Sequence, residues 1–233
     1  IQQVTYGTSK NSSYQGSNAE TVINTWVTNN LSSYTSYLED IIWCSDVSSR
    51  NPKYLSSLYD SVNHIAYSGV QKFNRHINDE VPRPTFNCPE DESSLVNTTT
   101  TKNHVNYNET NSGYDKTEVT TGLKSKVGML TADEMLFAGA SIGYSKNNVK
   151  VNIGNQKFYL YSSAVASYPY YTMTPAAYSS NTPYVYGFYN GNLSLAAANS
   201  SSAGIRPALA LKSTAKISGG NGTASNPYVI SGV

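Results

Sequence analysis

The chain is short of charge. Asp, Glu, Lys and Arg make up 13% of its 233 residues, about half the share of an average soluble protein. The two signs nearly cancel, and the formal net charge is +1. A nucleic-acid binder carries a basic face or a high isoelectric point, so no nucleic-acid partner is expected. A disordered chain combines high net charge with few aromatics. Here aromatics reach 12%, and 20 residues are Tyr. No run of about 20 apolar residues, the length that spans a bilayer, is present, and no membrane insertion is expected of these residues.

Cysteine is also scarce. The pair Cys44 and Cys88 fits an oxidising compartment with one structural disulfide, which would stabilise the fold by about 4 kcal/mol through loop closure. Two buried free thiols are the alternative. Neither residue sits in a Cys-x-x-Cys pair, so metal and redox chemistry have little support.

Acidic residues stop at Glu134. Calcium takes six to eight oxygens, usually from several carboxylates, so no calcium site is expected in the C-terminal part. A cation held by Asp46, Asp60 or Asp79 stays open. The three histidines, His64, His76 and His104, lack the spacing of a metal motif. A Ser-His-Asp triad can be assembled from any sequence this rich in Ser, so that pattern has little specificity. Glu90-Asp91-Glu92 reads as a solvated turn. No catalytic residue, cofactor or metal is expected.

What replaces charge is Ser, Thr and Asn. A β-rich domain with a polar, uncharged surface is common outside the cell. Ile1 in place of Met implies that a signal peptide or longer hydrophobic anchor was removed, or that the boundary is arbitrary.

Local signals give an outline. Gln3-Val4-Thr5-Tyr6 reads as a strand ended by Gly7. Ser17-Asn18-Ala19-Glu20 is a capping box, followed by Val22, Ile23, Trp26, Val27 and Leu31 at helical spacing, which predicts a helix over 18–30. Leu31, Tyr34, Leu38 and Ile41 suggest a shorter second helix before Trp43, a core candidate. Residues 45–121 read as loop-rich, and 97–121 as a polar loop insertion. Lys126–Leu130 looks like a strand. Thr131–Glu134 is a second capping box, opening a helix that Gly139 ends.

Strands are expected at 149–153, 157–161 and 168–173. Tyr184–Tyr189, Asn190-Gly191 and Leu193–Leu195 form a hairpin signal with a type I′ turn. Ile205–Leu211 reads as a buried strand in which Arg206 would need a carboxylate or several carbonyls. Residues 216–217 and 228–230 close the chain as a hairpin around Gly219–Gly222. The order predicts an α+β fold with an antiparallel sheet, two or three helices and long loops.

Four segments carry a resemblance. They are the Trp26 helix with Leu31-Ser32-Ser33-Tyr34, then Val127–Glu134, then Tyr170-Tyr171-Thr172-Met173-Thr174-Pro175. The last and most specific is Gly204–Ser213 with Gly222-Thr223 and Asn226-Pro227-Tyr228. Their order and spacing resemble a family of surface proteins from Gram-positive gut bacteria and their phages. In that family the third segment is often Trp-Trp-Thr-Leu-Ser-Pro and the fourth Gly-Val-Arg-Pro-Val. Tyr170-Tyr171 departs from the Trp pair, and the 97–121 insertion is long. The resemblance covers most of the chain from Ala19 onward. It implies one C-type-lectin-like domain over 1–233, a fold shared in outline with formylglycine-generating proteins and with variable proteins of diversity-generating retroelements. Formylglycine-generating enzymes need reactive Cys near the chain's end, and none follows Cys88. The sugar-binding calcium loops of lectins with this fold are absent as well.

Fold is not function, and the informative stretch lies late. From Phe158 to Ile205 there is no charged residue, yet nine Tyr fall there. Tyr with Ser, Gly and Asn is the composition of antibody paratopes, where Tyr offers rigid contact area and Ser and Asn adaptable hydrogen bonds. The candidate ligand-binding residues are Tyr168, Tyr170, Tyr171, Tyr178, Asn181, Tyr184, Tyr186, Tyr189, Asn199 and Ser201. The competing explanation is that Tyr is a good strand former and that one alternating face of the 184–189 hairpin is core.

The expected function is a secreted, cell-surface or pilus-attached binding protein, an adhesin or receptor-binding type. It would recognise a host or bacterial surface protein or glycan. Adenine-directed mutation enriches Asn, Ser, Thr, Tyr, Gly, Ala and Asp codons, so a retroelement-diversified variable protein is compatible. A pilin or fibre subunit packing against other subunits is the alternative, and an enzyme ranks last.

Overall fold

A computed structural model describes residues 3–7, 14–45, 95–99, 104–110, 113–119, 122–146, 149–153, 169–179, 182–201, 203–223 and 225–231. Outside these lie the expected strand at 157–161, Cys88, His64 and His76, and the carboxylates Asp46, Asp60, Asp79 and Glu90 to Glu92. The described elements are β1 (Gln3–Val4), α1 (Asn18–Leu31), a 3-10 helix (Ser32–Tyr37), β2 (Trp43–Cys44), β3 (Leu95–Val96), β4 (His104–Thr110), β5 (Gly113–Val119), α2 (Ala132–Phe137), β6 (Ser141–Lys146), β7 (Val149–Ile153), β8 (Tyr170–Ser179), β9 (Thr182–Tyr189), β10 (Asn192–Ala197), β11 (Ala203–Gly204), β12 (Lys216–Gly219) and β13 (Val229–Ser231).

α1 begins where Ser17, in extended conformation, accepts the backbone N–H of Glu20 at 3.1 Å. The expected box is only half formed. Ser17 N donates to Tyr14 O instead. The buried Glu20 carboxylate accepts from Gly16 N at 2.8 Å and from Lys124 N at 2.9 Å. It therefore ties the helix start to a loop far along the chain. Ile23 and Val27 face the core, while Trp26 is 41% exposed. The second expected helix is a single 3-10 segment with no buried residue. At α2 the capping box is complete: Thr131 accepts from Glu134 N, and Glu134 accepts from Thr131 N at 2.7 Å.

Seven strands form the main sheet in the order β1-β11-β8-β9-β10-β6-β7. It is mixed and antiparallel-rich rather than purely antiparallel: β11–β8 and β10–β6 pair in parallel. Turn signals specify only neighbours in sequence. The two parallel junctions join strands that no tight turn can connect. The β9–β10 hairpin follows its turn signal. Asn190 at φ 49° and Gly191 at φ 82° both adopt the left-handed backbone of a two-residue type I′ turn.

β9 is an interior strand, and its residues 185–188 are buried on both faces. Val185 joins Tyr171, Met173, Trp43, Ile23 and Val27 in one cluster. Tyr186 and Phe188 join Tyr170, Leu193 and α2's Met135 and Leu136 in the other. Successive side chains on a strand alternate in direction, so adjacent residues feed two cores.

Two expected strands reduce to isolated bridges. Within 126–130, only Gly128 pairs, with Ala208. In 205–211, Ala208 and Leu211 make isolated bridges, and Leu209 and Leu211 are 39% and 41% exposed. Pro207 has no N–H to give a ladder. Gly128 is held by reciprocal backbone bonds to Ala208, at 3.0 and 2.8 Å. A Cβ on it would sit 2.8 Å from the buried Trp43 ring.

The 97–121 insertion is not simply a loop. β4 and β5 pair antiparallel from His104–Val119 to Thr110–Gly113, as a separate two-stranded sheet. Its Val, Tyr and Thr residues are strand formers, but without apolar alternation they left no readable face. β12 and β13 form the terminal hairpin, with Ile217 at 62% and Val229 at 55% exposure.

Candidate functional site

The proposed tyrosine face divides. Tyr170, Tyr171 and Tyr186 are 4%, 1% and 5% exposed. They are core residues and form no exposed tyrosine surface, although Tyr170 and Tyr171 border a cleft. The reason is that β8 and β9 are covered on both faces here, by the Ile23–Trp43 cluster on one side and by the α2 cluster on the other. Burial pushes the Tyr186 phenol well above its usual range, and Asp133 adds to the rise. Tyr171 stacks edge-on against Tyr6 at 5.3 Å. Its hydroxyl lies 3.0 Å from Ala197 O and 2.7 Å from Ser200 O, and so anchors the turn after β10.

Tyr184 is half-buried against the α2 cluster. Tyr178 lies in β8 opposite Pro183. Tyr168 and Asn181 lie outside the described residues. Tyr189 is 49% exposed, and Asn199 and Ser201 are also exposed. These do not gather into one patch. Tyr189 pairs with Asn192 beside the hairpin turn, while the 199–201 turn follows Ala197, which pairs with Tyr184. The two ends are about 16 Å apart at a strand's usual rise.

A concave site opens beside the Tyr170–Tyr171 pair. A cleft of about 270 Å³ lies between the start of β8, α2 and residues 206–209. Leu130, Met135 and Leu209 contribute its apolar walls, with Tyr170, Tyr171 and Arg206. The Arg206 guanidinium carbon sits 4.1 Å from the Tyr170 ring centroid, and its Nη1 donates to Tyr170 Oη at 3.3 Å. A cation–π contact of this kind contributes about 0.5–2 kcal/mol. Burial raises the Tyr170 phenol to about 12 against the opposing pull of Arg206. Tyr170 therefore stays a neutral hydroxyl that accepts from Arg206 and keeps its own O–H to donate.

Arg206 was expected to pair with a carboxylate or carbonyls. The aromatic ring is a partner that expectation did not include. Nor did composition point to Leu130, Met135 or Leu209. The usable signal was the placement of Tyr170-Tyr171 and Arg206-Pro207 within two motif segments.

The motif segments converge. Met173 N donates to Leu130 O at 2.9 Å, and Ala132 N to Thr174 Oγ1 at 2.9 Å. Gly204 pairs with Tyr170, Ala208 with Gly128, and Leu211 with Leu38, while Lys212 N donates to Tyr37 O. The cleft sits among these junctions. Tyr171 joins it to the 199–201 turn, since the residue borders the cleft and its hydroxyl holds the turn.

A second, more polar groove of about 380 Å³ lies between α1 and residues 124–126. Its lysines are committed, Lys126 Nζ to Leu38 O and Lys124 Nζ to Thr21 Oγ1. Among the described residues, no cluster of three or more His, Cys, Asp or Glu could hold a metal ion, and no helix is long and apolar enough to cross a membrane. Cys44, in β2 opposite Leu95, is not a free thiol. No family model, curated protein or solved structure matches the chain.

Proposed function

We propose that this chain is a ligand-binding module displayed outside the cell, an adhesin or receptor-binding protein with a C-type-lectin-like fold. Its binding centre is the Tyr170–Arg206 cleft, flanked by the uncharged 199–201 turn. One observation carries the reading. The cleft is a preformed, mostly apolar concavity with a few convergent polar groups, which is the ordinary form of a binding site. Hydrogen bonding among the second, third and fourth motif segments supports the fold assignment. The partner is a surface protein or glycan, and the reading assigns no catalysis, metal or cofactor to the chain. A Cys44–Cys88 disulfide belongs to the same extracellular reading.

The test is a glycan array together with binding of fluorescently labelled protein to intact host and bacterial cells. Saturable binding to a defined glycan or surface protein is expected, and blanks on every surface would overturn the proposal. Retroelement diversification predicts allelic substitutions clustered at residues 168–202. An even spread along the gene would remove that part.

The terminal hairpin favours a second reading, a pilin or fibre subunit. Ile217, Tyr228 and Val229 are each more than half exposed, and exposed apolar residues on a paired strand invite packing. Concentration-dependent assembly that Ile217→Lys abolishes would support a subunit. A monomer at all concentrations would refute it.

A further inference from the structure

We infer that the groove between α1 and residues 124–126 is a second binding site, one that takes an uncharged sugar ring. The inference is independent of the Tyr170–Arg206 cleft and concerns different residues. At about 380 Å³ the groove lies within the usual range for small-ligand sites. Asn24, Val27 and Thr28 form one stripe of α1 at helical spacing, and Ser32 and Thr35 continue it along the 3-10 helix. Val27 and Leu38, the two apolar members of the lining, are 6% and 3% exposed. Every other lining side chain is polar.

The fold fixes what these groups present. Thr28 Oγ1 donates to Asn24 O at 2.9 Å, and Thr35 Oγ1 to Ser32 O at 3.3 Å. Thr98 Oγ1 donates to Asp40 Oδ2. With their hydrogens so committed, these three hydroxyls remain acceptors for a ligand. The Asn24 amide both donates and accepts, as does the Ser32 hydroxyl. Donors stand across the groove. Lys124 Nζ commits one N–H to Thr21 Oγ1 and Lys126 Nζ one to Leu38 O, and an ammonium carries three. A sugar ring bears hydroxyls that each donate and accept, with C–H groups between them. It matches fixed acceptors on one wall, mobile donors on the other and two buried aliphatic groups. An anion matches less well. The two lysine charges are offset by Glu20, which accepts from Lys124 N, and by Asp40, which accepts from Thr98 N and Oγ1. Any further carboxylate near the groove disfavours an anion more.

The test is a chemical-shift titration of the ¹⁵N-labelled full chain with the methyl glycosides of glucose, mannose and galactose. About four net hydrogen bonds in an open groove correspond to a Kd of about 1 mM. At least one glycoside should shift the amides of residues 24–28, 32–35 and 124–126 with that affinity and leave those of 206–209 in place. Its uronic-acid counterpart should bind no tighter. Cyclohexanol, a ring with a single hydroxyl, should bind at least about fivefold more weakly. Thr28→Val keeps the side-chain shape at an exposed helix position and removes the acceptor. Combined with Asn24→Ala it should weaken the glycoside about tenfold and leave the thermal midpoint within a few degrees. Arg206→Gln should leave the titration unchanged. No shifts from any of the three glycosides, tighter binding of the uronic acid, equal binding of cyclohexanol, or full affinity in the double variant would overturn the inference. A contact this weak dissociates within milliseconds and does not survive the washing of an array, so the array and cell assays read the cleft. Groove shifts with blank arrays and cells would leave this site standing and remove the cleft reading. Binding to array or cells without groove shifts would do the reverse.

Discussion

Replacing Glu20 with Ala removes the acceptor of two backbone N–H groups, Gly16 at 2.8 Å and Lys124 at 2.9 Å. A hydrogen bond to a charged group contributes about 1.5–3 kcal/mol, so two give about 3–6 kcal/mol as an upper bound. Gly16 and Lys124 themselves reach solvent, and water recovers part of the loss. The expected cost is therefore about 2–4 kcal/mol, a large share of an ordinary domain's stability of about 5–15 kcal/mol. Glu20→Gln keeps one amide oxygen but turns an NH₂ toward the other donor, and should cost about half as much. Urea unfolding followed by tryptophan fluorescence gives both values from the midpoint and slope. An Ala variant within about 0.5 kcal/mol of the parent, at the scale of an ordinary surface change, would refute the reasoning. A Gln variant as damaged as Ala would show that charge, and not the paired acceptors, is what the site needs.

Gly128→Ala forces a methyl into the Trp43 ring while the bonds to Ala208 prevent retreat. It should cost about 1–3 kcal/mol, read in the same urea assay, and a neutral result would contradict the packing. The phenols of Tyr6, Tyr14, Tyr170 and Tyr186 are raised chiefly by burial, Tyr170 from 10.0 to about 12. Above pH 10 the unfolded chain releases these protons while the folded chain holds them. Stability should stay intact below pH 10 and fall as pH rises through 12, with tyrosinate absorbance appearing together with unfolding. Early titration of all tyrosines in the folded protein would refute the burial. For Cys44 and Cys88, alkylation should add no mass until the protein is reduced, and labelling without reductant would sink the disulfide.

The β9–β10 hairpin and both helix starts were readable because their signals are local. Asn190-Gly191 specifies a turn by its backbone preference, and Thr131 with Glu134 specifies a cap by reach. Residue type could not tell whether Tyr186 faces ligand or core. Its burial depends on β8 and β10 flanking β9 and on α2 packing over it, and those are long-range facts. Ser17 and Glu20 show the same limit within one motif. The Ser half of the box is local and formed, while the Glu half was taken by Lys124, far along the chain. The cleft was missed because Leu130, Tyr170 and Arg206 meet only after the motif segments fold together.

The most direct measurement compares Arg206→Gln with Tyr189→Ala in the array and cell-binding assay, each variant first shown to keep the parent's thermal midpoint to within a few degrees. The account predicts that the cleft variant loses about tenfold in affinity, while the hairpin-tip variant, whose side chain is not among those lining the cleft, binds as the parent does. Loss of binding on Tyr189→Ala with full binding by Arg206→Gln would contradict it and move the site to the hairpin tip.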